Sequence, residues 1–125
     1  MRILSLLTPL ALATVALAGC TGSTPSPGNE VTGLSEHFQN GDLTVAVGEA
    51  VTFRIKQGAH TVDFAENGAP ANGVSNAHSG NLASGSTFGV TFTEPGTYPY
   101  FCQYHSFLQG GQRSGMVGTI AVTAA

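Results

Sequence analysis

Apolar and polar residues alternate along several short segments, and this period of two is the strongest constraint on the fold. In residues 51–56, for example, Val51, Phe53 and Ile55 alternate with threonine, arginine and lysine. Such alternation predicts β-strands with one face in a core. The other predicted strands are residues 31–38, 43–47, 60–65, 87–93, 97–102 and 116–123. No segment after residue 31 keeps a helical period for three turns, so we expect an all-β sandwich of two sheets.

One long segment lacks this alternation. Residues 67–85 contain four Gly, four Asn, four Ala and three Ser. A connection of this length without structure of its own is uncommon inside a compact domain. We therefore expect the segment to cross between the two sheets and to include one helical turn.

The first twenty residues have the layout of a secretory signal. They begin with Arg2, continue through an apolar run broken by Pro9, and end in Leu-Ala-Gly-Cys at Cys20. The run is shorter than the roughly 20 apolar residues of a membrane-spanning helix. Its last four residues resemble the lipobox of bacterial lipoproteins, in which the signal is removed and the new N-terminal cysteine is acylated.

These features divide the chain into a lipoprotein-type signal peptide at 1–19, a flexible tether at 20–30 and a folded domain at 31–125. Ten polar tether residues span on the order of 15–20 Å, enough to hold a domain clear of a membrane surface. We expect an exported protein, periplasmic or on the cell surface, that is lipid-anchored to a membrane through Cys20. An uncleaved membrane anchor is the alternative.

The charges of the domain exclude one class of partner. Its bases are Arg54, Lys56 and Arg113, against seven acids. Three scattered bases cannot form the basic patch that nucleic acid requires, so we expect no nucleic-acid partner.

Cys102 is the most informative single residue. If Cys20 carries lipid, Cys102 has no disulfide partner, although an exported protein occupies an oxidising compartment. An unpaired thiol in such a compartment is oxidised unless something protects it. Burial alone and a bound metal are the two explanations.

Strand parity predicts that this thiol and one imidazole are buried at strand ends. His60 shares a face with the apolar residues of its own predicted strand, and Cys102 shares a face with two tyrosines. His105 follows Cys102 by three positions, and Met116 is the only methionine beyond the signal segment.

Two imidazoles, one thiolate and one thioether are the ligand set of a blue copper electron-transfer site, with two His and one Cys in a plane and a weak axial Met. Thiolate and thioether suit Cu(I) and imidazole suits Cu(II). A frame that fixes one geometry for both states makes electron transfer fast because little rearranges. A structural zinc site normally has more Cys or His at paired spacings.

Three segments carry a resemblance to a known family. They are residues 58–64 (GAHTVDF), 92–105 (FTEPGTYPYFCQYH) and 115–120 (GMVGTI). Together they resemble the cupredoxins of the plastocyanin, halocyanin and pseudoazurin kind, over nearly all of residues 31–125. The resemblance implies a Greek-key β-sandwich of about eight strands with one mononuclear type 1 copper site. It implies the strong ligands His60, Cys102 and His105, with Met116 as the axial ligand.

The sequence departs from that pattern at two places. Ten residues, 106–115, separate His105 from Met116, where plastocyanin-like proteins have only a few. Gln109 is therefore a rival axial ligand, although Met116 matches the start of the final strand and residues 106–115 then form an extra loop beside the copper. Thr61 stands where relatives often carry an Asn that bonds to the Cys loop, and we expect Thr61 to replace that bond only in part.

Five further side chains have more than one interpretation. His37 and His78 lie in polar surroundings and are interpreted as surface histidines rather than ligands of a second metal. Tyr98 is expected to pack in the core with its hydroxyl bonded to nearby backbone. Phe107 and Leu108 either fold back onto the domain or form an apolar docking surface around the edge of His105.

The leading functional hypothesis is a membrane-tethered, monomeric electron carrier that docks redox proteins near His105 and transforms no small-molecule substrate. Such a protein is not an enzyme. Copper storage or delivery is the alternative, but one Met and buried ligands do not resemble the exposed Met- or His-rich clusters of delivery sites. A thiol hydrolase built on Cys102 and His105 lacks an evident orienting third residue. A metal-free adhesive sandwich is the remaining interpretation.

Overall fold

Seven strands and one short 3-10 turn, Glu66–Gly68, make up the regular structure of residues 28–125, which are the residues described by the computed structural model. The strands are β1 (Glu30–Gly33), β2 (Phe38–Gln39), β3 (Asp42–Ala46), β4 (Ala50–Ile55), β5 (Thr87–Thr91), β6 (Gly96–Gln109) and β7 (Gln112–Thr123). The predicted signal peptide, Cys20 and the tether up to residue 27 lie outside the described residues.

The strands form two sheets, which confirms the predicted β-sandwich. One sheet has the order β2-β1-β4-β5 and the other the order β3-β7-β6. Both sheets are mixed, because β1 runs parallel to β4 and β3 runs parallel to β7. The described residues contain seven strands, against the expectation of about eight.

Aromatic side chains from both sheets fill the space between them. Phe53 of β4 and Tyr100 of β6 meet edge to face with ring centroids 5.0 Å apart, and Phe38 lies 5.0 Å from Tyr100. Tyr100 donates a 2.6 Å hydrogen bond to the carbonyl of Gly41, and burial raises the pKa of its hydroxyl. A side chain at Gly118 would collide with the Tyr100 ring, so the close approach of β7 requires glycine.

The segment at residues 60–65 is not a regular strand, contrary to the prediction. It is held on one side by the bridge from His60 to Leu82 and on the other by the bridge from Asp63 to Phe101. Val62 and Phe64 are buried, and so are Thr61 and Asp63 on the opposite face. The alternation of apolar and polar residues predicted only one buried face. It gives no information about residues 67–85, which cover the other face.

The inserted residues 106–115 form an ordered hairpin rather than an extra loop. Ser106 pairs with Gly115 and Gln109 pairs with Gln112, so β6 and β7 continue beyond the sandwich as a two-stranded ribbon. The turn residues Gly110 and Gly111 have φ angles of 60° and 80°. A two-residue turn with two positive φ angles matches the twist of a hairpin.

The single 3-10 turn, Glu66–Gly68, only overlaps the start of residues 67–85, and Asn67 and Gly68 in it have positive φ angles, so the segment itself has no regular helical turn. The remainder is irregular but hydrogen-bonded: Phe64 donates to the carbonyl of Ala77 at 2.9 Å, and Ser79 donates to the carbonyl of Val62 at 3.0 Å. The segment therefore lies as a cover along residues 60–64. Tyr98 packs partly buried against Phe92 and donates a 2.6 Å bond to the carbonyl of Glu94, so its hydroxyl is bonded to backbone as expected.

Candidate metal centre

A β-bulge gathers the candidate ligands at one end of the sandwich. The register of β6 against β7 shifts between Phe101, which pairs with Val117, and Ser106, which pairs with Gly115. The four residues from Cys102 to His105 therefore oppose a single residue, Met116. A bulge bends its strand and re-aims the side chains in it, and here it aims Cys102 and His105 toward one point, opposite the buried Met116.

Three of the predicted ligands converge on that point. The nitrogen Nδ1 of His60 lies 3.1 Å from Nδ1 of His105, and Cys102 Sγ lies 3.7 Å and 3.5 Å from these two atoms. A triangle with these sides has its centre about 2.0 Å from each corner. Metal–nitrogen bonds of about 2.0 Å and metal–sulfur bonds of about 2.3 Å fit that spacing. The three donors are thus arranged for one metal ion.

The hydrogen bond at the far side of the His60 ring fixes which nitrogen is free. His60 Nε2 lies 2.7 Å from the carbonyl oxygen of Gln57, and a carbonyl can only accept. Nε2 therefore carries the proton and Nδ1 presents a lone pair to the centre. Such an outer contact orients a metal-binding histidine and increases its basicity. Gln57 was missed by sequence analysis because its contribution is a backbone carbonyl, which no residue type reveals.

The two rival axial residues lie in different places. Met116 is completely buried and follows Gly115, at which any side chain would run into the carbonyl oxygen of His105. Gln109 is exposed and lies at the turn of the ribbon, paired with Gln112. The structure brings Met116, and not Gln109, to the bulge.

Thr61 makes two contacts with the Cys102 segment. Its backbone N–H donates to Cys102 Sγ at 3.4 Å, and its hydroxyl oxygen accepts a 2.9 Å bond from the N–H of Gln103. The threonine hydroxyl therefore makes one of these bonds and the Thr61 backbone makes the other. The Thr61 N–H directs a positive dipole at the sulfur, and the bond from Gln103 holds the backbone that follows Cys102 in place.

Arg113, the only base in the inserted ribbon, ties the ribbon to the domain. Its guanidinium donates two bonds to the Glu66 carboxylate, at 2.7 Å and 2.6 Å, and lies 4.2 Å from the centre of the Phe101 ring. These hydrogen bonds lower the pKa of the Glu66 carboxyl. Arg113 also donates to the hydroxyl of Ser106, which in turn donates to the carbonyl of Cys102. This role of Arg113 was not predicted, although a lone base in an otherwise uncharged insertion is a signal for it.

The two remaining histidines differ from each other. His37 is exposed, as interpreted from the sequence. His78 is not a plain surface residue, because its ring lies 2.8 Å from a carboxylate oxygen of Asp63 and 2.6 Å from the carbonyl of Ala69. The backbone bond to Ala69 and then the bond to Asp63 raise the pKa of His78. Neither histidine joins His60 in the ligand cluster.

The exposed apolar side chains surround the same end of the molecule. Phe107 and Leu108 are 56% and 54% exposed, so they do not fold back onto the domain. Tyr104 and Val117 are the other large apolar side chains exposed among residues 28–125, and the sequence analysis did not single them out. Tyr104, Phe107 and Leu108 lie on β6 within three residues of His105, which is itself partly exposed, and Val117 follows Met116 on β7. We call these four residues the apolar rim.

The comparisons with known proteins agree with this geometry. The profile of the family described as "Copper binding proteins, plastocyanin/azurin family" matches residues 29–123. Chloroplastic plastocyanin of Oryza sativa subsp. indica is 38% identical over 90 residues, which are 68% of this chain and 54% of the relative. Plastocyanin of Solanum tuberosum is 37% identical over 91 residues, 68% of this chain and 86% of the relative. The chain thus spans about half the length of the chloroplastic relative.

Solved structures of amicyanin are similar to this fold. A reduced Cu(I) form of an amicyanin mutant at pH 4 superposes with a TM-score of 0.60 at 25% identity, covering 80% of this chain and 86% of that one. Amicyanin from Paracoccus versutus gives a TM-score of 0.59 at 22% identity, with coverages of 80% and 85%, and shows the shared fold. With the family profile and the plastocyanin relatives, the chain belongs to the plastocyanin/azurin family of copper-binding proteins.

Proposed function

We propose that this protein is a type 1 copper electron carrier. The observation that supports this most strongly is the triangle of His60 Nδ1, Cys102 Sγ and His105 Nδ1, whose centre lies about 2.0 Å from each donor. Bound copper supplies a one-electron couple between Cu(I) and Cu(II). The chain supplies a rigid frame, because the three donor atoms already lie at the distances from one another that a bound metal ion requires.

Each ligand contributes a different property to this site. His60 and Cys102 are completely buried, so the donors are kept away from water. Thr61 and Gln57 hold the sulfur and the imidazole ring in one orientation. We assign Met116 as the weak axial ligand, because it is the single buried residue opposite the bulge. His105 is partly exposed and provides the route by which electrons enter and leave.

Copper storage or delivery is less well supported. Metal exchange with a partner requires ligands that the partner can reach, whereas His60 and Cys102 have no exposed surface. Hydrolysis by Cys102 meets the same obstacle, because a substrate cannot reach the sulfur. We therefore propose redox proteins as partners and no small-molecule substrate.

The apolar rim is proposed as the docking surface for those partners. Replacing both Phe107 and Leu108 with serine removes about half of its exposed apolar side chains, and hydrophobic contact provides most of the free energy of such docking. We expect the rate of electron self-exchange between Cu(I) and Cu(II) copies, measured by NMR line broadening, to fall at least tenfold. The reduction potential should stay unchanged, because both side chains are more than half exposed and neither belongs to the donor cluster.

The matched control for that experiment is Phe107→Leu, which keeps the surface apolar and should exchange electrons nearly as fast as the original protein. Slow exchange in Phe107→Leu as well would indicate that the aromatic ring, not apolar contact, matters. An unchanged rate in the double serine variant would remove the apolar rim from the electron-transfer route. Failure of even the original protein to exchange electrons would contradict the proposed function itself.

Export and membrane attachment through Cys20 are further parts of the proposal. Asn29 bonds to Glu49 and to the N–H of Thr52, so the chain joins β1 at the end of the sandwich away from His60. A tether attached there would leave the apolar rim facing away from the membrane. No helix in residues 28–125 is long and apolar enough to cross a membrane.

Replacing Cys20 with alanine is expected to move the protein out of the membrane fraction, because the acceptor for the lipid is lost. Cell fractionation followed by immunoblotting measures this change. Thr21→Ala, one residue away, is the control and should remain with membranes. Equal membrane retention of Cys20→Ala would favour the uncleaved anchor over lipidation.

A further inference from the structure

The pair formed by His78 and Asp63 has no part in the copper site as described so far. His78 Nε2 lies 2.6 Å from the carbonyl oxygen of Ala69, and His78 Nδ1 lies 2.8 Å from Oδ1 of Asp63. The histidine side chain is 26% exposed and the aspartate side chain 10% exposed. The pair is therefore mostly shielded but remains open to exchange of protons with solvent.

Hydrogen-bond chemistry determines how many protons this pair holds. A carbonyl oxygen only accepts, so Nε2 of His78 must carry a proton. An ionised carboxylate also only accepts, so a second proton must lie between Nδ1 and Asp63. The pair therefore binds one proton more than a neutral histidine beside an ionised aspartate. The raised pKa of His78 agrees with this count.

The surroundings of the pair make that proton electrostatically important. Oδ2 of Asp63 is buried and has no hydrogen-bond partner among the described residues, so the carboxylate depends on His78 for compensation. The other charged groups nearby are Glu66 of the 3-10 turn and Arg113 of β7, which bind each other; the Arg113 charge also interacts with Asp63. When His78 loses its proton, the negative charge of Asp63 is left poorly compensated.

Asp63 is joined directly to the strand that carries the thiolate. Its N–H donates to the carbonyl of Phe101 at 2.9 Å, and the N–H of Phe101 donates back at 3.0 Å. Phe101 immediately precedes Cys102, so the pair lies within about 10 Å of the metal centre, two strand spacings away. A charge at His78 and a charge at the copper therefore affect each other.

We propose that the His78–Asp63 pair is a second binding site of this protein, a redox-linked site for a proton. When a redox partner delivers one electron to the centre, the centre loses one unit of positive charge and the pair binds a proton from solvent more tightly. Near the pKa of His78 a fraction of the molecules therefore takes up a proton on reduction and releases it on oxidation. The electron comes from the redox partner and the proton from solvent, and both are returned when the centre is oxidised. The linkage is reciprocal, so protonation of His78 must favour the reduced state.

The expected size follows from Coulomb's law. Two unit charges about 10 Å apart in a partly solvated region change each other's binding constants about threefold. Proton binding at His78 should thus be about threefold weaker when the centre carries the extra positive charge. A threefold change corresponds to a reduction potential that falls by about 28 mV as the pH rises through the pKa of His78, at 59 mV per tenfold change.

The test combines two measurements on the metal-loaded protein. The pKa of His78 is measured by NMR with Cu(I) bound and with Zn(II) bound, since Zn(II) provides the extra positive charge without paramagnetism. We expect about threefold weaker proton binding in the Zn(II) form. Voltammetry across the same pH range should show the fall in potential, and His78→Gln should lack this fall and stay near the high-pH value of the original protein.

His37→Gln is the matched control, because His37 is an exposed histidine and should leave the pH response unchanged. Any protonation of a ligand is common to all variants and cancels in the comparison. Equal His78 pKa values in the Cu(I) and Zn(II) forms, or a full pH response in His78→Gln, would overturn the proposal. If His78→Gln does not fold, the two pKa values decide the question alone. Neither measurement involves a partner or a membrane, so the result is independent of the docking and tethering proposals.

Discussion

Replacing Cys102 with alanine is expected to abolish the intense visible absorption of the Cu(II) protein and to weaken copper binding far more than loss of an outer contact would. The band arises from charge transfer between the thiolate and copper, and Cys102 is the one free cysteine among the described residues. Loss of an outer hydrogen-bond partner typically weakens metal binding 10- to 100-fold. Loss of a strong ligand should exceed 100-fold, as measured by competition with a chelator.

The fold itself should survive this substitution. Cys102 is completely buried but small, so alanine should lower the free energy of unfolding of the apoprotein by about 1 kcal/mol. Urea unfolding of the apoprotein measures this change. Thr61→Val is the matched control: it removes the bond to Gln103 but keeps the sulfur, so its copper should stay coloured. A coloured Cys102→Ala protein would contradict the assigned ligand set.

The ligand types and their burial could be predicted from the sequence, because alternation is a local property. His60 and Cys102 each share a face with apolar neighbours, and both are buried in the structure. The bulge could not be predicted, since it depends on how β7 pairs with β6. The Gln57 carbonyl and the Asp63–Phe101 bridge are equally non-local: they depend on which backbone groups meet after folding.

In the inserted ribbon, one feature that was not predicted could have been predicted from the sequence, and another could not. The sequence Gly110-Gly111 is a recognised signal for a two-residue hairpin turn, and the structure has this turn between paired Gln109 and Gln112. The turn could therefore have been predicted from the residues alone. The charge pair of Arg113 and Glu66 could not, because the two residues are 47 positions apart and meet only when the ribbon folds beside the 3-10 turn.

Replacing Met116 with glutamine should lower the reduction potential by more than about 59 mV, which is a tenfold shift of the Cu(I)/Cu(II) equilibrium. A thioether is a soft donor that stabilises Cu(I), whereas an amide oxygen is harder and stabilises Cu(II). Glutamine has nearly the same length as methionine, so the bulge should keep its shape. Burial of the amide should lower the free energy of unfolding of the apoprotein by about 1–3 kcal/mol. Voltammetry measures the potential, and electron paramagnetic resonance reports the altered axial field.

Gln109→Ala is the variant that makes this experiment decisive. Gln109 is exposed at the turn of the ribbon, several paired positions away from the bulge, so its removal should leave both potential and spectrum unchanged. If instead Gln109→Ala shifted the potential while Met116→Gln did not, the ribbon would have to fold over the copper when the metal binds. The pairing of Gln109 with Gln112 opposes such folding, because moving Gln109 to the metal would break the turn. The axial ligand therefore follows from the register of one hairpin, in which four residues of β6 face Met116.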